Sequence, residues 1–137
     1  MAVWRRRALE LFPQLRRDLQ SRDYSVYLLF FDLKPMLRVA HDADDTEELR
    51  RIYGFAEWCS RQTAKDLWNA AGVAFYEHLF DYPEYSERVI PWLSPRVVYY
   101  HWSLWEAMVS PEEWVTVRPL LEDKRAAEER EARQTSR

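Results

Sequence analysis

The stretch Leu67-Trp-Asn-Ala-Ala-Gly-Val-Ala-Phe-Tyr-Glu-His-Leu-Phe-Asp-Tyr82 constrains this chain more than any other, because it carries apolar residues on nearly every side of a helix. A helix that is hydrophobic all round has to be covered all round. On a helical wheel Leu67, Trp68, Ala71, Phe75 and Leu79 make one broad apolar arc, and Val73, Tyr76 and Phe80 make a second. Asp66, Glu77 and Asp81 are left on a narrow acidic seam. The expectation is an inner rod over 67–82 with other helices on two sides.

The chain has the material to cover such a rod: 137 residues, 47% of them hydrophobic, with seven Trp, eight Tyr and six Phe. That is enough for one domain with a substantial core. Its two Gly argue against a turn-rich sheet protein and against a glycine-rich phosphate loop. The single Cys59 excludes an internal disulfide framework and the usual zinc spacings, so a reducing, cytoplasmic setting is expected. The longest apolar block, residues 26–31, is far shorter than the roughly 20 residues of a membrane span. The opening Met1-Ala-Val-Trp-Arg-Arg-Arg7 has no apolar run behind it, and neither membrane nor export is expected.

Net charge is only −3, but residues 1–41 hold eight Arg or Lys against four acids while 42–57 hold six acids against two Arg. A nucleic-acid binder carries a basic surplus to displace counterions, and this chain has one only near its start. Nucleic acid is therefore not an expected partner.

Taken in order, Trp4, Ala8, Leu11, Leu15 and Leu19 recur at spacings of four and three, the mark of one helix side. Pro13 either kinks that helix or opens a new one. Arg5, Arg6, Arg7, Arg16 and Arg17 read as a solvated face, with a partner-binding patch as the sharper alternative. Residues 23–41 leave helix and strand open over 24–33, where strand formers are dense. Val26, Phe30, Leu33, Leu37 and Ala40 favour a helix running across Pro35, with a kink near Phe31. Tyr27 and Phe31 fall off that stripe and call for a second layer or a partner.

His41-Asp-Ala-Asp-Asp-Thr-Glu-Glu48 has carboxylates at alternate positions, as a hard cation wants, but lacks the glycine and the ligand spread of a calcium loop. Asp45 with Glu48 reads better as a capping box at a helix start. The helix of 46–61 then turns Leu49, Ile52, Ala56 and Cys59 inward, and Glu47 is placed to pair with Arg51. Cys59 reads as a buried small hydrophobe rather than a nucleophile. Thr63 with Asp66 repeats the cap pattern before the rod.

The words Leu49-Arg-Arg-Ile-Tyr-Gly-Phe-Ala-Glu-Trp-Cys59, Leu67-Trp-Asn-Ala-Ala-Gly-Val-Ala-Phe-Tyr-Glu-His-Leu79 and Pro91-Trp-Leu-Ser-Pro95 resemble a family of small, uncharacterised bacterial helical proteins over about residues 24–109. The resemblance implies a helical fold and carries no activity or site residues. Small helical proteins of this kind include partners of toxins and defence proteins, an analogy of size and class alone.

Glu77 and His78 put ionisable groups into the most apolar stretch. A buried neutral imidazole needs only one donor and one acceptor, so His78 reads as structural. His41 and His101 could join it only through the fold, and there is no His-Glu-x-x-His pair, so no metal ligands are assigned. Residues 83–90 make a short helix with Glu84 facing Arg88. Ser94-Pro95 and Ser110-Pro111 open two more helices, over 95–109 and from 111. Glu106 sits among aromatics, where a raised pKa would suit a general acid but a reach to solvent is the simpler reading.

The fold expected is all-α, five or six main helices in antiparallel pairs, as a compact bundle or a short solenoid-like stack. Residues 1–121 form one domain, and 122–137, with five acids against five bases, form a charged tail that is a helical extension or disordered. The favoured function is a non-enzymatic protein–protein interaction module, an inhibitor or immunity-type partner of another protein. Its contacts would be Trp4, Trp58, Trp92 and Trp114 with Arg5, Arg6 and Arg7. No cofactor is expected. The alternatives are a metal-dependent hydrolase built on Glu77, His78, His41 and His101, and a structural homodimer through the aromatic side of 97–109.

Overall fold

The structure is a computed structural model that describes residues 1–135; the last two residues of the charged tail lie outside the described residues. Every regular element among the described residues is helical. The described residues form eight α-helices rather than five or six, because prolines and short 3₁₀ turns divide runs that the periodicity joins.

Two compact units follow one another along the chain, Met1–Phe75 and Tyr76–Arg137. In the first, α1 (Val3–Leu11) ends before a 3₁₀ turn, Pro13–Leu15, that leads into α2 (Arg16–Leu19). Pro13 thus opens a new turn, where its missing amide costs nothing. The segment left open between helix and strand is α3 (Val26–Asp42), capped by Ser25 and continuous through Pro35. The Asp45 side chain accepts the Glu48 amide at 3.2 Å, the capping bond that starts α4 (Thr46–Ser60). Arg51 pairs with Glu48 instead of Glu47, which takes Arg50. Both pairs span three residues, which brings the side chains together as well as a spacing of four does.

The rod expected over 67–82 is the largest departure. α5 (Lys65–Ala70) starts at Ala64 with no side-chain cap, so Thr63 does not launch it. It then widens into a π turn, Ala71–Phe75, and tightens into a 3₁₀ turn, Tyr76–His78. Steps of 3.6 residues per turn do not describe such a path, so wheel positions beyond Ala70 lose their phase. Val73 consequently reaches solvent, at 42% exposure, while Ala74, Phe75 and Tyr76 are buried in succession; Trp68, in the regular turn of α5 before the change, is 44% exposed.

A chain of ring contacts organises the first unit's core. His41 meets Tyr53, Tyr53 meets Phe75, Phe75 meets Phe30, Phe30 meets Phe55, and Phe55 meets Phe12, with centroids 5.6–6.0 Å apart. Each such pair adds about 0.5–1.5 kcal/mol beyond the area it buries. At the N-terminal edge the half-buried Arg5 guanidinium donates to the carbonyls of Leu19, Ser21, Arg22 and Tyr24, satisfying the end of α2 and the turn after it.

In the second unit a 3₁₀ turn, Pro83–Tyr85, precedes α6 (Ser86–Val89). Another, Ile90–Trp92, leads to α7 (Pro95–Met108), and Ser110 caps α8 (Pro111–Thr135). α8 passes through Pro119 and carries the charged residues 122–135 as helix. α8 runs back along α7: Trp114 and Arg125 both lie on the Trp102 ring, and Lys124 Nζ donates at 2.6 Å to the carbonyls of Ile90 and Leu93. The buried Trp105 indole donates to the Tyr76 carbonyl at 2.8 Å and fixes the start of this unit to α7.

Candidate functional site

The ionisable residues singled out from the sequence go to separate tasks. In the first unit His41 is 3% exposed and its Nε2 lies 2.8 Å from the Tyr53 hydroxyl. Burial drives the Tyr53 phenol well above its ordinary range, so it stays protonated. Cys59 is fully buried, and burial pushes its thiol up to about 12, the nearby Arg7 charge offsetting this only in part. A thiol held in its protonated form is a poor nucleophile.

In the second unit His78 is not enclosed by the apolar arc. Its side chain is 35% exposed and its Nδ1 pairs with Asp81 at 2.8 Å, the outcome of the lost wheel phase described above. Glu77 beside it is half-buried. His101 is the more enclosed ring, 4.5 Å from the centroid of Tyr76 and 5.8 Å from that of Trp105. Its Nδ1 is bonded to the Val97 carbonyl at 2.8 Å, and burial lowers its pKa against the opposing pull of that bond. Glu106 is exposed and accepts the Trp102 indole N–H at 3.1 Å. Among the described residues no three His, Cys, Asp or Glu side chains are grouped so as to hold a metal ion.

Trp4 with Arg5 and Trp58 with Arg7, among the aromatic and basic candidates, pack on one another. Trp4 is 9% exposed with the Arg5 guanidinium 4.6 Å from its ring centroid. Trp58 is half-buried, stacked on Phe55 and covered by Arg7 at 4.8 Å. Trp92 and Trp114 are half-buried, and Arg6 is exposed. Large apolar residues outside that set face water in the first unit: Leu28, Phe31 and Val39 on α3, exposed by about a half to two thirds, with Met1 and Val3 near the start of α1, Trp68 on α5 and Val73 in the π turn. Tyr27, which fell off the α3 stripe, accepts a hydrogen bond from Asn69 at 2.9 Å.

Val39 is also on the wall of a groove of about 370 Å³ beside Pro35, lined by Gln14, Pro35, Met36, Val39, Ala40, Ala43, Asp45 and Glu48. Met36, Val39, Ala40 and Ala43 follow the spacing of one helix face. The groove is apolar along α3 and closes on two carboxylates at the start of α4. Glu48 Oε2 is held by Arg51, while its Oε1 is buried with no hydrogen-bond partner. The sequence held a sign of this face, since Met36 and Val39 are apolar yet miss the 26-30-33-37-40 stripe. A second cleft of similar size lies between α1 and α4, with Arg7, Glu10, Arg50 and Arg51 on its walls and Gly54 on its floor.

Helices packed through an aromatic core, with an open apolar groove beside α3, make the described residues a small all-helical protein. No helix of the described residues is long and apolar enough to cross a membrane. The chain belongs to the family described as a domain of unknown function, DUF7674, whose model matches residues 5–104. Neither a curated protein nor a solved structure matches it.

Proposed function

We propose that this chain is a non-enzymatic protein–protein interaction module whose contact face is the α3 side of the first unit. The observation that carries the reading is the open groove at Pro35–Ala43 together with the exposed Leu28, Phe31 and Val39 on the same helix. Clustered apolar surface of this kind marks interaction sites, whereas scattered exposed apolar residues do not. The occupied states of His41, Cys59 and His101 support binding over catalysis, since each imidazole or thiol is already committed to the core. A reducing, cytoplasmic setting suits the lone buried thiol. An inhibitor or immunity-type role is one form such a module takes.

Affinity capture from the host with the wild-type chain and with Val39→Asp tests this. A protein retained by the former and lost by the latter is the expected outcome. Identical captured sets from both, with Val39→Asp folded as judged by circular dichroism, would overturn the reading.

A further inference from the structure

Helix α7 of the second unit buries one side and leaves the other with the make-up of a contact surface. Trp102 and Trp105 are turned inward, so the tryptophan side of 97–109 is already committed to the fold. On the outer side Arg96, Tyr100, Leu104 and Met108 recur every four residues and form one ridge. Tyr100 and Met108 are more than half exposed, Leu104 is half-buried, and the small Ser103 and Ala107 lie exposed beside them. Small residues next to a ridge make the groove into which a second ridge packs.

Four residues past Met108 comes Glu112, in the first turn of α8, so the ridge reads Arg-Tyr-Leu-Met-Glu with opposite charges at its two ends. Both charges are reachable: Glu112 is exposed, and the Arg96 guanidinium rests 4.9 Å from the centroid of the exposed Tyr100 ring. Neither has an ion-pair partner among the described residues. Arg96 also stands in the first turn of α7, at the positive end of the helix dipole, and that turn holds no acid. A cation there gains from a neighbouring helix that brings up its C-terminal end, as an antiparallel copy of α7 does.

We propose that this face pairs with itself, joining two copies of the chain α7 to α7 about a two-fold axis at Leu104. Reversed on itself, the ridge sets Arg96 of each copy against Glu112 of the other, Tyr100 against Met108, and Leu104 against Leu104. Methionine sulfur favours an aromatic ring, and Ser103 and Ala107 leave room for the tyrosines. A two-fold contact has to be self-complementary, and this order of side chains is. A foreign helix of one charge would match only one end of it. One helix on one helix buries less than the roughly 800 Å² per partner of a lasting complex, so the dimer is reversible, with dissociation between about 10 µM and about 1 mM. The inference is independent of the α3 reading.

Sedimentation velocity on the full chain over that concentration range tests it, and dimer is expected to form as concentration rises. Tyr100→Ser should abolish the dimer. Arg96→Glu and Glu112→Arg should each weaken it about tenfold, because each turns two attractive contacts per dimer into repulsive ones. Mixed in equal amounts, these two charge variants regain both contacts in a heterodimer, so the mixture should associate like the wild type where neither does alone. Loss of fold cannot produce that recovery. A monomer throughout would overturn the proposal, as would association that the charge variants leave unchanged, or a mixture no better than its parts. Association that Val39→Asp disperses and Tyr100→Ser does not would put the contact on α3 instead, overturning this proposal and leaving the α3 reading in place.

Discussion

Gly54→Ala should stabilise this protein by about 1 kcal/mol, because Gly costs about 0.8–1.0 kcal/mol relative to Ala in a helix interior. Gly54 lies well inside α4, with Ile52, Tyr53, Phe55 and Ala56 buried around it. No glycine in the described residues has a positive φ, so a side chain meets no backbone strain here. A methyl group added at Gly54 would find nothing within 4 Å, so steric cost does not offset the gain. For urea slopes of about 1–3 kcal/mol/M, the midpoint should rise by roughly 0.3–1 M. Tryptophan fluorescence reads this directly, since Trp58 is stacked on Phe55 beside the site. An unchanged or lowered midpoint would refute the reasoning, by showing that the space above Gly54 is needed or filled. A stabilising change left untaken is ordinary in natural chains, so the vacancy alone implies no ligand.

Arg5→Ala should cost about 2–3 kcal/mol, since one guanidinium serves four carbonyls from Leu19 to Tyr24 and charged hydrogen bonds contribute about 1.5–3 kcal/mol each before water replaces some of them. Arg5→Lys should recover less than half in urea unfolding, because an ammonium cannot span that fork, and full recovery would show that charge alone matters. His101 has its pKa lowered by burial, so the folded chain keeps it neutral where the unfolded chain takes up a proton. Its contribution is therefore complete above the unfolded value of about 6.5 and falls away as pH drops through that value toward the folded one. Urea midpoints compared at pH 7.5 and 5 should fall less in His101→Gln than in the wild type; equal falls would remove the assignment. Cys59, with its thiol pushed up to about 12, should react with a disulfide reagent at pH 8 only as fast as the chain opens. Immediate labelling of the native protein would contradict its burial.

The parts legible in the sequence are those fixed by local rules. Ser94 and Ser110 accept the amides of Val97 and Glu113, as the Ser-Pro pairs imply, and Asp45 accepts that of Glu48. The inward set of α4 and the 26-30-33-37-40 stripe of α3 are buried as their periodicity requires. The 67–82 segment went astray because periodicity assumes one helix type throughout, and the π and 3₁₀ turns between Ala71 and His78 break that assumption. His78 turns outward to Asp81 and Val73 to solvent for the same reason.

The tryptophans and the groove show two different limits of a one-dimensional reading. Large aromatics and arginines are the residue types that anchor interfaces, and in the structure Arg7 lies on Trp58 and Arg5 on Trp4. The same chemistry that makes these residues good anchors lets them satisfy one another within a chain. The groove depends on what does not cover α3, and no one-dimensional pattern encodes the absence of a neighbour. What the pattern does hold is a surplus: Met36 and Val39 are apolar positions that the buried stripe does not use, on a helix already supplied with a complete inward face. In the interaction reading proposed above, that surplus is the contact face, lying on the same side of the first unit as the acidic start of α4.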